Sequence, residues 1–534
     1  MKHTINTKAK ILAALVLSAS LLTGCASASK EFNQLVGAVN DGLPEMNGGF
    51  AYDAAMADVD GSLGNGEDYN TEEYSAITEN GYKSVAAEPL STFSIDVDTA
   101  FYSNLRRMIT EDWDVPAEAV RIEEMINYFD YDYPAPNEGE PFSVTTELSD
   151  CPWNEDTKLM LVGLQAEEVD LSDRAPMNLV FLIDVSGSMY SEDKLPLVQK
   201  AFTLLTENLT PADRISIVTY AGTDSVVLEG ADGGDRQKVL EAIESLEAGG
   251  STAGAAGINT AYEIAEKYFI SGGNNRIILA TDGDLNVGVS SESELKKLVE
   301  KKRESGVYLS VLGFGTGNVK DNKMETLADN GNGNYSYIDS ELEARKVLVE
   351  EMGGTLITVA KDVKIQVEFN PAYIKGYRLI GYENRALSAE DFSDDTKDAG
   401  EIGAGHTVTA LYEVVMNDSP MELTSGDLKY RDTENDGTEN GELLTVSLRY
   451  KEPDKDTSKL LEYPVTDTAY TAEMPENLRF ASAVAEFGMV LRDSEYKGNS
   501  SRTTILSLLE GCDIANDPYK MELVELVNMA KIPD

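Results

Sequence analysis

Histidine is nearly missing from this sequence: His3 and His406 are the only two among 534 residues. Histidine-rich zinc sites are thereby excluded, and a Ser-His-Asp triad would have to be built on His406. Cysteine is almost as scarce, with Cys25, Cys151 and Cys512. Cys151 and Cys512 could pair outside the cytoplasm. However, Ile505, Leu508, Leu509 and Cys512 share one face of a predicted helix, which places Cys512 in a core. Positive charge is also short, with 44 Lys+Arg against 94 Asp+Glu and a net charge of −50. Such a surface repels nucleic acid and anionic lipid, keeps the chain soluble and gathers divalent cations weakly. After residue 22 no apolar run approaches the length that spans a bilayer. The sequence contains neither a P-loop nor a Gly-x-Ser-x-Gly elbow.

What is present begins at the N-terminus. Lys2, Lys8 and Lys10 precede the apolar run Ile11 to Leu22, which is too short to cross a membrane and fits a signal-peptide core. Leu22-Thr23-Gly24-Cys25 follows at once and resembles a bacterial lipobox. The resemblance implies that Cys25 receives lipid and becomes the first mature residue. The expected location is then the extracytoplasmic face of the cell membrane, anchored and not spanning. Cleavage also removes His3, three lysines and no acid, so the mature chain is more acidic still.

Composition and periodicity divide the rest. Residues 1–24 are the signal peptide, and 25–87 read as a flexible acidic linker with order beginning near Leu90. Residues 88–170 read as an α+β region: a strand over Thr92–Val97, a helix capped by Asp98 or Thr99, a helix after Pro116, and strands at 142–148 and 158–164. Residues 176–352 alternate strand and helix. Strands are expected at 178–184, 214–220, 225–229, 276–281, 307–313 and 334–338, with amphipathic helices between them. Only Ala221 to Asp224 join the second and third strands, so that pair is an antiparallel hairpin. Residues 355–470 are β-rich, with strand signals at 363–369, 407–415, 428–431 and 443–450, and 471–534 form a helical tail. The fold class is therefore α/β. A doubly wound, Rossmann-like domain is inserted in or flanked by a β-sandwich, between a small helical N-terminal region and a helical tail.

One loop carries chemistry. Asp184-Val185-Ser186-Gly187-Ser188 closes the apolar run 178–183. One carboxylate and two hydroxyls leave a strand end at i, i+2 and i+4, the oxygen-rich set that hard divalent cations take. In a doubly wound sheet of order 3-2-1-4-5-6, the first and fourth strands flank the switch point, where ligands bind. Asp282, after Ala280-Thr281, would meet Asp184 there. Gly249-Gly250-Ser251-Thr252 lies just before the helix that leads into the fourth strand, so its hydroxyls can reach the same crevice.

These three segments resemble the metal-ion-dependent adhesion site, or MIDAS, of von Willebrand factor type A (vWA) domains. The resemblance implies ligation by Asp184, Ser186, Ser188, Thr252 and Asp282, with Mg²⁺ as the ion and Mn²⁺ or Ca²⁺ as alternatives. Met189, Tyr190, Tyr220 and Asn286 would shape a partner-binding rim. The flanks Ser94–Ala100, Arg121–Phe129, Cys151–Asn154, Tyr377–Arg385 and Asp398–His406 resemble a YfbK-like family of bacterial lipoproteins.

Other motifs fall away on their own chemistry. Asp96-Val97-Asp98 has Ala100 where a haloacid dehalogenase-type phosphatase would carry Thr or Val, so it reads as helix capping. Asp432–Gly437 starts like an EF-hand but has Leu443 in place of the bidentate Glu, so it reads as a polar hairpin tip. Trp113, Trp153 and the aromatic run Tyr128–Tyr133 read as core and domain joint. Two carboxylates only just neutralise a dication, which leaves it electrophilic towards an acidic side chain of a protein partner. The expected function is a lipid-anchored envelope protein, without enzymatic activity, that binds a partner's Asp or Glu through a MIDAS ion. The alternatives are a metal-dependent hydrolase using Asp184 or Asp282 as base, and a structural protein with a relic site.

Overall fold

The computed structural model describes residues 77–534 except Asp96, 170–173, 251–253, 284–291, 317–320, 352–356, Asp398, 424–436 and Asp454. The signal peptide, Cys25 and most of the linker lie outside the described residues. So do the 428–431 strand signal and nearly all of the hairpin tip at Asp432–Gly437.

The central sheet holds six strands: β1 (Met177–Asp184), β2 (Arg214–Ala221), β3 (Thr223–Asp232), β4 (Asn274–Thr281), β5 (Tyr308–Phe314) and β6 (Tyr335–Ile338). Their spatial order is 3-2-1-4-5-6. All neighbours are parallel except β2 and β3, which form the expected antiparallel hairpin. All eight residues of β1 are buried, and alternate side chains enter different cores. Leu179, Phe181 and Ile183 pack under the helices Leu195–Thr206 and Arg236–Glu244. Val180 and Leu182 pack under Gly254–Lys267 and Asp321–Asn330. A strand covered on both faces needs a continuous apolar run, and each such side chain contributes roughly 1.5–3 kcal/mol.

The sandwich is made of chain from both sides of this domain. One sheet runs Lys83–Ser84, Ile374–Ile380, Thr407–Met416, Lys158–Ala166, Phe142–Asp150. The other runs Ala386–Leu387, Leu90–Ser94, Thr358–Phe369, Glu442–Lys451, Lys459–Thr466, with Gly400–Gly403 paired to Thr358–Phe369. Leu161 stands opposite Leu411, so the chain leaves the sandwich at Ala166 and returns at Thr358. The doubly wound domain is thus an insertion. Phe369, Tyr377 and Tyr412 form an aromatic seam between the sheets, the first two stacked at 4.1 Å.

Two expectations are corrected. Order begins before Leu90: Lys83 and Ser84 pair with Tyr377 and Gly376, Val85 is buried, and the Tyr82 hydroxyl donates to Glu413. A two-residue strand has no periodicity, so nothing in the sequence marks order before Leu90. Asp98 does not cap its helix. Thr99 is the N-cap residue of Ala100–Thr110 and makes no side-chain cap bond. Asp98 instead accepts from the backbone N–H of Tyr335 at 3.1 Å and faces Arg385 at 3.5 Å, joining the insertion to the sandwich. The N-terminal helices and the helical tail also share a single core: Phe129 packs on Phe480, and Ile122 against Gly488 of Glu476–Arg492.

At this joint Arg106 is buried. Its guanidinium binds Asp339 and Glu343 of the insertion, Glu522 of the tail and the Tyr128 hydroxyl. Trp153 and Tyr128 to Tyr133 lie in or beside this core as expected, except for the exposed Asp130 and Asp132. Cys151 is buried there, Cys512 packs half-buried against the same core, and both are free thiols. His406 stands in a turn of the sandwich, where its carbonyl accepts from Ala166. Among the described residues no helix is long and apolar enough to cross a membrane.

Candidate metal centre

Asp184 is the last residue of β1, and Asp282 follows the last residue of β4. Ile183 stands opposite Ala280, so both carboxylates arrive at the carboxyl edge of the sheet at its switch point. They are 0% and 1% exposed. Asp184 Oδ1 accepts from the Ser186 N–H at 2.8 Å, which curls the loop back on itself. The Ser186 and Ser188 hydroxyls then lie 3.0 Å apart. Ser186 is buried and Ser188 exposed. The oxygens therefore run from a dry floor at Asp184 to an open mouth at Ser188.

A second loop is stitched to the first. Gly249 N–H donates to Val185 O at 2.8 Å, and Gly187 N–H donates to Gly250 O at 3.2 Å. Gly250 has φ +88°, and a Cβ there would also sit 3.1 Å from Ala221 O. Only glycine takes that turn at low cost. These bonds carry the chain to the edge of the site just before Ser251 and Thr252. Thr252 itself lies outside the described residues.

Burial and like charge make ionisation of Asp184 unfavourable. Asp184 Oδ2 is buried and makes no hydrogen bond of good geometry among the described residues, although the Tyr220 hydroxyl stands close enough to favour its charged form slightly. Burial, with a smaller repulsion from Asp282, pushes the Asp184 carboxyl up to about 6. Buried carboxylate oxygens are normally satisfied, so an orphan beside two hydroxyls fits the donor set of a hard cation. Among the described residues no group of three or more His, Cys, Asp or Glu could hold a metal. The described negative charge of this site comes from two carboxylates.

The rim differs from expectation. Tyr190 is 83% exposed beside Ser188, but Met189 and Tyr220 are fully buried. Met189 belongs to the core on one face of the sheet, and Tyr220 to the core on the other. Tyr220 points inward because the helix Gly254–Lys267 crosses it closely: a Cβ on Gly257 would stand 3.0 Å from its own. Its hydroxyl is nevertheless near enough to Asp184 for that charge, after burial, to raise its pKa. Asn286 lies outside the described residues.

Sequence reasoning missed Lys194. Its Nζ lies 3.0 Å from Asp282 Oδ2, with the side chain only 10% exposed. The sole signal was a lysine at a helix start, where a hydroxyl or acid is the usual cap.

Three family models match the chain. One described as the von Willebrand factor type A domain matches residues 178–351, and one described as von Willebrand factor matches 68–161. The third, described as the C-terminal part of the uncharacterized protein YfbK, matches 354–532. The chain is 43% identical over 473 residues to the uncharacterized protein YfbK of Escherichia coli (strain K12), covering 86% of this chain and 81% of that protein. It is 28% identical over 275 residues to the Homo sapiens inter-alpha-trypsin inhibitor heavy chain H3, covering 47% of this chain and 30% of that one. Among solved structures, a von Willebrand factor type A protein from Catenulispora acidiphila is 18% identical with a TM-score of 0.40, covering 75% of this chain and 91% of that one.

Proposed function

This chain belongs to the YfbK family and carries a vWA domain, and from that premise we propose that it captures a protein partner through a divalent cation. The vWA domain supports a role in protein interaction or adhesion in general terms. The finer reading is a lipid-anchored envelope protein whose ion, Mg²⁺ first among the candidates, is held by Asp184, Ser186, Ser188, Thr252 and Asp282. The observation that carries it is the orphaned Asp184 Oδ2 at the floor of a hydroxyl-lined, open-mouthed loop.

A bound dication would supply an electrophilic position that a partner's Asp or Glu carboxylate can complete. The protein's own residues prepare that position. Asp184 and Asp282 bring the charge, the serines bring neutral oxygens, and the exposed Tyr190 stands at the mouth to meet the partner. A hydrolytic reading would need Asp184 or Asp282 as a base. Asp282 is engaged by Lys194 and Asp184 is sealed at the floor, so capture is favoured over proton transfer.

The test is a pull-down from envelope extract with the full lipidated chain. Partner capture should be lost with EDTA and in Asp184→Ala, while circular dichroism shows both proteins folded. Capture that survives both treatments excludes a role for the ion. Titrating Mg²⁺ into the purified chain distinguishes a working site from a relic. Cys25→Ser should move the protein from the membrane fraction to the soluble one.

A further inference from the structure

Lys194 is placed against local preference. It is the residue before the helix Leu195–Thr206 and offers no side-chain cap. A cation there also opposes the positive end of the helix dipole. Its stem crosses Gly315, at the end of β5, where φ is +78° and a Cβ would come 2.2 Å from Lys194 Cε. Three separate elements thus cooperate to deliver one ammonium group to Asp282: a helix start, a glycine that clears the path, and the end of β4. Costs accepted locally for a contact made at a site mark function more often than stability.

We propose that Lys194 is a tethered counter-cation that weakens metal binding at this site. This rests on the metal reading above and deepens it. The ammonium compensates Asp282 when no dication is present. When one arrives, the ammonium either gives up Asp282 or repels the ion from close range. Both routes lower the affinity of the empty site. The ion is then held firmly only when a partner's carboxylate adds the negative charge that Lys194 has cancelled. Metal and partner therefore bind as a coupled pair, each raising the affinity for the other.

The experiment is calorimetric titration of Mn²⁺ and Mg²⁺ into the full chain and into Lys194→Met, Lys194→Gln and Lys194→Arg. Removing a unit charge a few ångströms from a dication should tighten binding on the order of tenfold or more. Met and Gln should both show this gain, and Arg should resemble the parent. Adding Asp184→Ala to the Met variant should abolish the gain, which locates it at the site. Metal-free melting gives a second readout: the Met and Gln variants should melt lower without metal and respond more steeply to Mn²⁺ than the parent. If either neutral variant folds and binds metal no tighter than the parent, Lys194 has no such role. If the parent and every variant fail to bind metal, the metal reading itself falls and this inference with it. If only the neutral variants bind, the inference stands in its strongest form.

Discussion

Asp184→Asn should make the metal-free protein more stable while destroying its metal response. The carboxyl of Asp184 rises from 3.8 to about 6 on folding, chiefly through burial. Its folded form therefore holds the proton more tightly than its unfolded form. The cost of ionising it is absent below about pH 4, grows as pH rises towards 6, and is complete above that. A shift of about two pH units corresponds to roughly 3 kcal/mol. Asparagine keeps the oxygen that accepts from Ser186 N–H and removes the charge. Its amide can donate to the nearby Tyr220 hydroxyl. In EDTA at pH 7.5 the variant should melt roughly 5 °C or more above the parent. The gap should close towards pH 4. Saturating Mg²⁺ should raise the melting temperature of the parent and leave the variant unmoved. Equal melting of the two proteins at pH 7.5 without metal, or an equal Mg²⁺ response, would refute the assignment of Asp184 as a strained, metal-seeking carboxylate.

Arg106→Met strands Asp339, Glu343 and Glu522 around a lost cation and should cost about 3–5 kcal/mol by urea denaturation. Burial already holds the Glu343 carboxyl above its usual value. The loss should therefore shrink from pH 7.5 to pH 5 as Glu343 and Glu522, both held above their usual values by burial, take up protons. Gly163→Ala puts a Cβ 2.3 Å from Cζ of Tyr133, inside the joint between strand and aromatic run. It should cost about 1–3 kcal/mol, and an unchanged urea midpoint would show that the ring can give way. Tyr190→Ala should leave stability within about 0.5 kcal/mol, since the side chain is exposed, yet weaken partner capture in the pull-down.

The parts legible in sequence were those where one physical force acts alone. Strands such as Asn178–Ile183 are buried on both faces, so their apolar runs announce a parallel sheet. Once strands one and four were assigned, Asp184 and Asp282 had to meet. The insertion was legible too, because strand signals of one type stood on both sides of a different pattern. Illegible were features that depend on a remote partner. Lys459–Thr466 contains Pro464, which argues against a central strand, and it proved to be an edge strand where proline is tolerated. Lys83–Ser84 is too short to show any period. Asp98 looked like a cap because nothing local reveals Tyr335 and Arg385 across the domain joint. Met189 and Tyr220 looked like rim residues because a loop and a strand end do not disclose which way a side chain turns. Lys194 looked like an ordinary charged residue until the fold brought Asp282 to it.

The insertion also sets an order of events in folding. The Gln165 side chain bonds to the carbonyl of Gly405, 240 residues later in the chain. Closing so long a loop from an unstructured chain is slow, and its entropic cost is met before any strand pairing rewards it. If the inserted domain folds first, its own ends come together and most of that loop disappears. The sandwich then has only short segments left to close. The inserted domain would then act as the nucleus around which the rest of the protein assembles. A kinetic experiment should find mutations in β1 slowing the folding of both parts, and mutations in Thr407–Met416 mainly speeding the unfolding of the sandwich.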